Sequence, residues 1–358
     1  MNGEFIEALD QIEKEKGISK DILIEAIEAA LISAYKRNYG SAQNVKVYIN
    51  RESGEVRVYS LKNVVEVVEN DLLEISVEDA KEMDSNYEVE DVIEREVTPK
   101  NFGRIAAQTA KQVVVQRIRE AERGIIYDEF INKESEIVTG IIQRISKGNV
   151  FINLGRTEAI LTPTEQIPGE TYKHNDRIKT YIIEVKKTTK GPQILVSRTH
   201  PGLVKRLFEL EVPEIHDGIV EIKSISREAG SRSKIAVYSH DDNVDPVGAC
   251  VGHKGTRVQA IVDELRGEKI DIIKWSDNPE ELIGSSLSPA KVLKVIVKED
   301  EKTALVVVPD YQLSLAIGKE GQNARLAAKL TNWKIDIKSE SQYNQTDTDH
   351  VNEAITQE

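Results

Sequence analysis

Two stretches of the sequence repeat one pattern, "CVGHKGTRVQAIVDEL" at residues 250–265 and "AIGKEGQNARLAAKL" at residues 316–330. Each stretch places two glycines three residues apart and continues with the apolar spacing of an amphipathic helix. Glycine allows another backbone to approach closely, and the first turn of a helix presents unpaired N–H groups to an anion. The repeated pattern therefore predicts two phosphate-binding turns.

The sequence around the two turns is duplicated as well. A strand pattern precedes each turn, and Lys-Ile-Asp-Ile follows each helix, at residues 269–272 and 334–337. This order of strand, Gly-x-x-Gly turn, helix and strand is typical of the KH domain, whose turn clamps about four nucleotides of single-stranded RNA. A nucleotide-triphosphate loop does not fit, because His253 stands where its second glycine belongs.

Upstream of the turns, residues 134–198 contain five short strand patterns separated by glycine and charged turns. Five strands in so short a segment predict a small closed barrel of the OB type. Val150 and Ile152 share one face of the second strand, which leaves Phe151 outside the barrel core. A base can stack on such an aromatic ring, although packing against a neighbouring domain is an equal alternative.

The N-terminal third has a different pattern. A helical stripe follows Ser19, a possible N-cap, and ends at Gly40. Alternating valines on both sides of a Glu-Ser-Gly turn predict a hairpin at residues 45–58. Thr98-Pro99 predicts the start of a long helix with a cap residue and proline at its first position.

Charge is distributed unevenly along the 358 residues, whose net charge is −13. Residues 1–130 carry −10 and residues 339–358 carry −5, whereas residues 131–338 carry +2. Within the first segment, residues 66–96 hold 13 acids and two bases, and residues 97–123 hold two acids and six bases. This polarity predicts a protein-docking module, with a solvated surface as the alternative.

Several classes of protein are disfavoured. The sequence has no apolar run near the ~20 residues that span a bilayer and no signal-peptide pattern, so we expect a cytoplasmic protein. Its one cysteine, Cys250, lies between apolar residues and is expected to be a small buried hydrophobe. No zinc spacing, nucleophile–base pair or phosphate loop is present, so we expect no metal, no cofactor and no enzymatic activity.

The two turns and their flanks, together with "KGISKDILIEAIEAALISAYKRNYG" near the start, resemble the NusA family of bacterial transcription elongation factors. The resemblance covers nearly the whole chain. It implies a multidomain α+β protein: an N-terminal α/β domain with a long helix, an OB-type barrel of the ribosomal S-one type, and two tandem KH domains. The expected boundaries are 1–130, 131–200, 201–277 and 278–345, followed by a disordered acidic tail at 346–358.

The resemblance also implies the partners and the residues that meet them. We expect binding to RNA polymerase, nascent single-stranded RNA and other Nus factors, by a monomer that does not bind membranes. The candidate RNA-binding residues are Gly252, His253, Lys254, Gly255, Arg257, Gly318, Lys319, Glu320, Gly321, Gln322, Asn323, Arg325 and Phe151. Of these, Arg257 is expected to face away from its helix's core, toward whatever the turn meets. The candidate polymerase-binding residues are Arg104, Lys111, Arg117 and Arg119.

The expected function is modulation of pausing, intrinsic termination and antitermination by a protein that binds polymerase and RNA. The alternative is an RNA-binding factor of translation or RNA decay, because barrels and KH modules recur there. A decay enzyme should show a catalytic acidic or metal-binding constellation in residues 1–130, and the acids of residues 66–96 follow no recognisable ligand spacing.

Overall fold

A computed structural model describes residues 3–40 and 44–345. The chain divides into two compact units, Met1–Ile126 and Tyr127–Glu358. The tail predicted at residues 346–358 lies outside the described residues.

The N-terminal unit packs helices against a small mixed sheet. Strand β2 pairs antiparallel with β1 and β4 and in parallel with β3. Its elements are α1 (Gly3–Lys16), α2 (Lys20–Tyr39), β1 (Asn44–Ile49), β2 (Val56–Val65), β3 (Glu74–Ser76), α3 (Val77–Met83), β4 (Val92–Glu96) and the long helix α4 (Phe102–Ile131).

Helix α2 has the predicted buried stripe, which includes Leu23, Ile27 and Leu31. It packs on the inward residues of β1 and on the N-terminal part of α4, including Phe102 and Ala106. The predicted hairpin is formed by β1 and β2, with Val47 opposite Val58.

The start of the long helix differs from the prediction. The helix begins at Phe102, so Thr98 is not its cap. The Thr98 hydroxyl oxygen instead accepts a hydrogen bond of 2.9 Å from the backbone N–H of Val58. Thr98 therefore extends the pairing of β2 beyond β4, and Pro99 lies in the connection that follows.

The second unit begins with the end of α4 and a closed five-stranded barrel in the order β5-β6-β7-β9-β8. This barrel confirms the OB-type prediction. Its strands are β5 (Ile137–Ser146), β6 (Asn149–Asn153), β7 (Glu158–Leu161), β8 (Arg177–Thr188) and β9 (Gly191–Ser197).

Two copies of one αβ arrangement follow. In each, an antiparallel pair of strands is extended by a third strand parallel to the second. The first repeat comprises α5 (Pro201–Glu211), α6 (Pro213–His216), β10 (Val220–Glu228), β11 (Arg232–Ser239), α7 (Pro246–Val251), α8 (Thr256–Glu264) and β12 (Lys269–Lys274). The second repeat comprises α9 (Pro279–Ser286), β13 (Lys294–Lys298), β14 (Thr303–Val308), α10 (Leu313–Ile317), α11 (Gln322–Thr331) and β15 (Lys334–Ser339).

A buried arginine joins the barrel to the first repeat. Arg198, which is 1% exposed, forms an ion pair with Glu170 of the barrel. Its guanidinium also donates hydrogen bonds of 2.9 Å to the carbonyl of Lys179 and 3.0 Å to the carbonyl of Glu264 in α8. Because a buried guanidinium is costly unless its donors are satisfied, these contacts fix the barrel against α8.

The first repeat contains a second buried ion pair. Arg227 and Glu268 are both fully buried and share two hydrogen bonds of 2.9 Å. Glu268 also accepts from the Ser233 hydroxyl and the Gly230 N–H. Burial alone would raise the pKa of Glu268, but these donors, led by Arg227, hold that pKa below its usual value.

The two repeats are joined through helix α11. Gln322 and Arg325, in its first turns, donate hydrogen bonds of 2.8 and 2.7 Å to the Glu228 carboxylate at the end of β10. Near its other end, Leu330 packs on Ala236 and Ile273 of the first repeat's sheet. The repeats therefore share a packed interface along one helix.

We expect Glu268→Gln to destabilise the first repeat by about 3–5 kcal/mol, because Arg227 would stay buried without its counter-charge. Hydrogen exchange of the β10–β12 amides measures this loss. Since the folded pKa of Glu268 is lowered, its contribution is present above the unfolded pKa of about 4.3 and disappears as the pH falls through the folded pKa. Glu280→Gln, at an exposed carboxylate in α9, is the control and should cost less than about 1 kcal/mol. Equal losses in the two variants would contradict a structural role for the buried pair.

Candidate nucleic-acid interface

The two Gly-x-x-Gly turns have nearly the same backbone conformation. We call residues 252–255 the first loop and residues 318–321 the second loop. The leading glycines have φ/ψ of 74°/175° and 78°/171°, and the closing glycines 78°/13° and 75°/14°. The third residues, Lys254 and Glu320, also match, at 52°/28° and 54°/25°. Three of four residues in each loop thus have positive φ, which explains the need for glycine at both ends.

The leading glycine of each loop makes room for a side chain of its own repeat. A Cβ at Gly252 would lie 2.7 Å from Cγ of Arg257, and a Cβ at Gly318 would lie 2.8 Å from Cβ and the backbone nitrogen of Asn323. Arg257 and Asn323 occupy the same position, the second residue of the helix that follows the loop. The leading glycine is therefore required by packing inside the repeat.

Both helix residues donate hydrogen bonds back to the short helix before the loop, α7 in the first repeat and α10 in the second. The Arg257 guanidinium donates to the carbonyl of Ala249 at 2.7 Å and to the Glu214 carboxylate at 2.8 Å. The Asn323 amide donates to the carbonyls of Ala316 at 3.0 Å and Leu287 at 2.9 Å. These bonds hold the short helix before each loop against the start of the helix after it.

These contacts correct the predicted placement of Arg257 and show a supporting role for Asn323. Arg257 does not project freely from α8, because its guanidinium is hydrogen-bonded to Glu214 and to the carbonyl of Ala249. Asn323 is 3% exposed and its amide is committed to backbone carbonyls, so it supports the second loop from inside. Asn323 lies on the buried side of α11, on the same stripe as Leu326 and Ala327.

The outward-facing part of each loop is formed by its two middle residues and its closing glycine. His253 and Lys254 are exposed in the first loop, as are Lys319 and Glu320 in the second. A Cβ added at Gly255 or Gly321 would meet nothing closer than 3.9 Å. The closing glycines therefore leave space open beside the first turn of α8 and α11, where N–H groups point outward.

Gln322 and Arg325 also make contacts between the repeats that the sequence did not predict. Both bond Glu228 of the first repeat, and Arg325 also donates to the carbonyl of Glu320 at 3.0 Å. Gln322 borders a cleft of ≈ 370 Å³ between the repeats, which brings Lys319 of the second loop near Arg232 and Lys269 of the first repeat. Sequence reasoning missed Arg232 and Lys269, because only the packing of α11 on β10 brings them to the second loop.

Phe151 lies outside the barrel core, as predicted. The Arg144 guanidinium of the paired strand lies 3.5 Å from the centre of its ring and also bonds Glu158. Beside it is a groove of ≈ 420 Å³ that includes Lys190 and Gln193. The sequence did not indicate Arg144 as part of this site, although strand pairing places it directly opposite Phe151.

The candidate polymerase-binding residues are all exposed on helix α4 but do not share one face. At 3.6 residues per turn, Arg104, Lys111 and Arg119 fall within about 80° of one another, and Arg117 lies at least about 120° away. Arg117 borders a groove with Ala26 and Ala29 of α2 and pairs with Glu120 at 3.2 Å. The structure therefore groups three of the four cations.

Other candidate chemistry is limited in the described residues. Cys250 is fully buried, and burial raises the pKa of its thiol to about 12, so it is a packing residue as predicted. Within residues 3–40 and 44–345, no three His, Cys, Asp or Glu side chains are grouped to hold a metal ion. None of the helices in that same part of the chain has the length and apolarity needed to span a bilayer.

Comparison with known proteins matches these features. Family profiles described as the NusA N-terminal domain, the S1 RNA binding domain, and the NusA-like first and second KH domains match residues 4–124, 132–197, 198–275 and 279–345. The transcription termination/antitermination protein NusA of Halalkalibacterium halodurans is 67% identical over 342 residues, covering 96% of this chain and 90% of the relative. That of Bacillus subtilis is 66% identical over 95% of this chain and 92% of the relative. The chain belongs to the NusA family.

More distant members are also similar. The NusA protein of Thermus thermophilus is 46% identical over 94% of this chain and 89% of the relative. The solution structure of the N-terminal domain of NusA from B. subtilis, 64% identical, covers 34% of this chain and 99% of that structure with a TM-score of 0.32. The resemblance, the multidomain α+β class and the function of an RNA-binding transcription factor, all predicted from the sequence, are confirmed for this NusA-family chain.

The two loops of this NusA-family chain carry opposite charges at one matched position, Lys254 and Glu320, which gives a test. Because Lys254 and Glu320 have the same backbone conformation, each loop tolerates the other's residue. We expect Glu320→Lys to strengthen binding of single-stranded RNA and to steepen its salt dependence by about 0.7 for each additional phosphate that is neutralised. Lys254→Glu should weaken binding, and the double exchange should bind close to the parent. Fluorescence anisotropy titrations at several salt concentrations measure the affinity and its salt dependence. Unchanged RNA affinity in both single variants would exclude the loops from the interface.

Proposed function

We propose that this NusA-family chain binds RNA polymerase through residues 1–130 and nascent single-stranded RNA through residues 131–345. By doing so it modulates pausing, intrinsic termination and antitermination. It acts in the cytoplasm as a monomer, joins other Nus factors in antitermination complexes, needs no cofactor and catalyses no reaction.

One observation carries the RNA half of the proposal: two loops with matching backbone angles, each opening onto the N-terminus of a helix. Each loop combines exposed polar side chains with a closing glycine that leaves the helix N–H groups accessible. Such a loop suits the phosphates of a single strand, whose bases remain free for further contacts. The barrel groove at Phe151 and Arg144 offers a stacking platform for the same strand.

The polymerase half rests on the charge polarity of the first unit and on family membership. The grouped cations Arg104, Lys111 and Arg119 form no ion pair within the described part of the chain, so their charge is available to an acidic partner. A protein that binds both polymerase and RNA tethers each weak contact to the other. It changes the lifetime of a pause only by binding the paused state more tightly than the moving state.

We keep the domain boundaries predicted from the sequence. The barrel begins at residue 131, and the two repeats begin at residues 201 and 278. Arg198, in the barrel segment, is held by Glu264 of the first repeat. Glu228 of the first repeat is held by Arg325 of the second. These bonds favour RNA binding by residues 131–345 as one surface that carries the barrel and both loops.

The RNA assignment is tested by Gly255→Asp with Gly321→Asp. These positions have room for a side chain, and Asp tolerates their left-handed conformation better than most residues. A carboxylate there repels phosphates without disturbing Arg257 or Asn323. We expect affinity for single-stranded RNA to fall at least about tenfold by anisotropy. Gly218→Asp, at φ +75° in open space outside the loops, is the matched control and should leave affinity unchanged. Equal RNA affinity in all three proteins would refute the assignment.

The docking face is tested by charge reversal on helix α4. Arg104→Glu with Lys111→Glu should weaken binding to core polymerase and shorten hairpin-stabilised pauses in single-round transcription, while RNA affinity is preserved. Arg117→Glu lies on the other side of the helix and serves as control. A larger loss of polymerase binding in the Arg117 variant would indicate that the docking face is the groove beside α2.

A further inference from the structure

The two repeats differ on the face of the sheet that points away from their own helices, which we call the outer face. In the first repeat this face is covered. Lys234 on β11 is fully buried and donates hydrogen bonds of 2.8 Å to Asp271 and to the carbonyl of Ser288. Ala236, two residues on, packs against Leu330 of α11.

In the second repeat the outer face carries a square of lysines. Lys294 and Lys298 lie on β13, and Lys334 and Lys338 lie on β15. The register places Lys298 and Lys334 on either side of Thr303, and Lys294 and Lys338 on either side of Val307. The corners are therefore ~13 Å apart along the strands and ~10 Å apart across them.

Three of the four lysines, Lys298, Lys334 and Lys338, line a groove of ≈ 390 Å³ on this face. Ile296 and Leu305 form its apolar floor, and Asp336 is its one acid. The alternate residues of the same strands, such as Val297 and Val306, pack into the repeat's core, which confirms that the lysines point the other way. We call this surface the lysine face.

The charge of the lysine face is uncompensated. Within residues 3–40 and 44–345, none of the four lysines forms an ion pair. Lys294 lies 5.4 Å from the centre of the Tyr343 ring, an arrangement that keeps the charge. In the first repeat the sheet neighbour of the matching Asp271 is Lys234, but in the second the neighbour of Asp336 is Leu305. Four positive charges against one negative charge remain for an outside partner.

We propose that the lysine face binds the phosphodiester backbone of single-stranded RNA, as a second RNA track on the second repeat. The proposal rests on the proposed function, because the strand is delivered by the second loop. Strand β14 leads through α10 into that loop, so RNA held there is tethered to the same small module. A tethered strand reaches the lysine face at high effective concentration, and a modest affinity therefore suffices.

The chemistry of the face favours phosphate over an acidic protein helix. Lysine ammonium groups are compact point charges that suit phosphate oxygens. The apolar floor is small, because Val307 is already 4% exposed and Ile296 and Leu305 are half-buried. Little further apolar area is available to drive the docking of a helix.

The test compares RNA lengths in the full chain. An RNA of about 10 nucleotides fills two loops that each take about four, and an RNA of about 25 nucleotides can continue onto the lysine face. We expect Lys298→Gln with Lys334→Gln to leave affinity for the short RNA unchanged. Affinity for the long RNA should fall several-fold, with a salt slope shallower by about 1.4 because two phosphates are no longer neutralised. Asp336→Asn should strengthen binding of the long RNA only.

Matched controls separate the outcomes. Lys173→Ala with Lys205→Ala removes two exposed charges elsewhere in the same unit and should not change the ratio of long to short affinity. An unchanged ratio in the Lys298/Lys334 variant overturns the lysine face as an RNA site. Failure of the parent to bind the short RNA overturns the proposed function instead. A photo-crosslinking residue in place of Ile296 should capture labelled long RNA, and capture of a polypeptide alone in the purified mixture overturns the proposal in favour of a protein segment.

Discussion

Both loops are shaped by a hydrogen bond from the second residue of the helix that follows the loop to a carbonyl of the short helix that precedes it. In one repeat the donor is a guanidinium and in the other an amide, yet each ties the entry of the loop to its exit. The bond exists only because the leading glycine has no side chain in the way. Positive φ at both glycines and at the third residue of each loop then turns the chain so that the next helix points its N–H groups outward. The position of the loop, its exposed side chains and the open helix end all follow from this local constraint.

The charged side chains of the second unit divide into buried and exposed groups with different roles. Arg198, Arg227 and Lys234 have buried side chains with carboxylates or carbonyls as partners. Arg198 holds the barrel to the first repeat, Arg227 stabilises the first repeat internally, and Lys234 bonds Ser288 of the second repeat. Buried pairs of this kind add little net stability but make loss of one partner costly. Exposed Arg325 also has a structural role, because it joins the two repeats through Glu228. The four lysines of the lysine face form no ion pair within the described residues and remain available to anions.

The sequence predicted most of the fold because its signals are local. Gly-x-x-Gly, the apolar stripes and the alternating strands each depend on neighbouring residues, and the barrel and repeats followed from their order. The contacts that the sequence did not predict are formed by the packing of one element on another. The Arg257 guanidinium bonds the short helix α7 that precedes the first loop, and Asn323 lies on the buried stripe of α11 with Leu326 and Ala327. Gln322 and Arg325 contact Glu228, about 95 residues earlier in the chain, and no local pattern indicated that contact. Thr98 fits the pattern of a helix cap, but its hydroxyl oxygen accepts a hydrogen bond from Val58 of β2.

Helix α11 has a consequence for how such a chain can change over evolutionary time. The same helix presents the second loop at its start and seals the outer face of the first repeat along its length. Deleting the second repeat would leave Ala236 and Ile273 in water and Lys234 without the Ser288 carbonyl, so the first repeat would not survive as a clean fragment. The heritable unit is therefore the pair of repeats. Recombination that shuffles single modules should be disfavoured here, and the spacing between the two loops should be passed on as one inherited length.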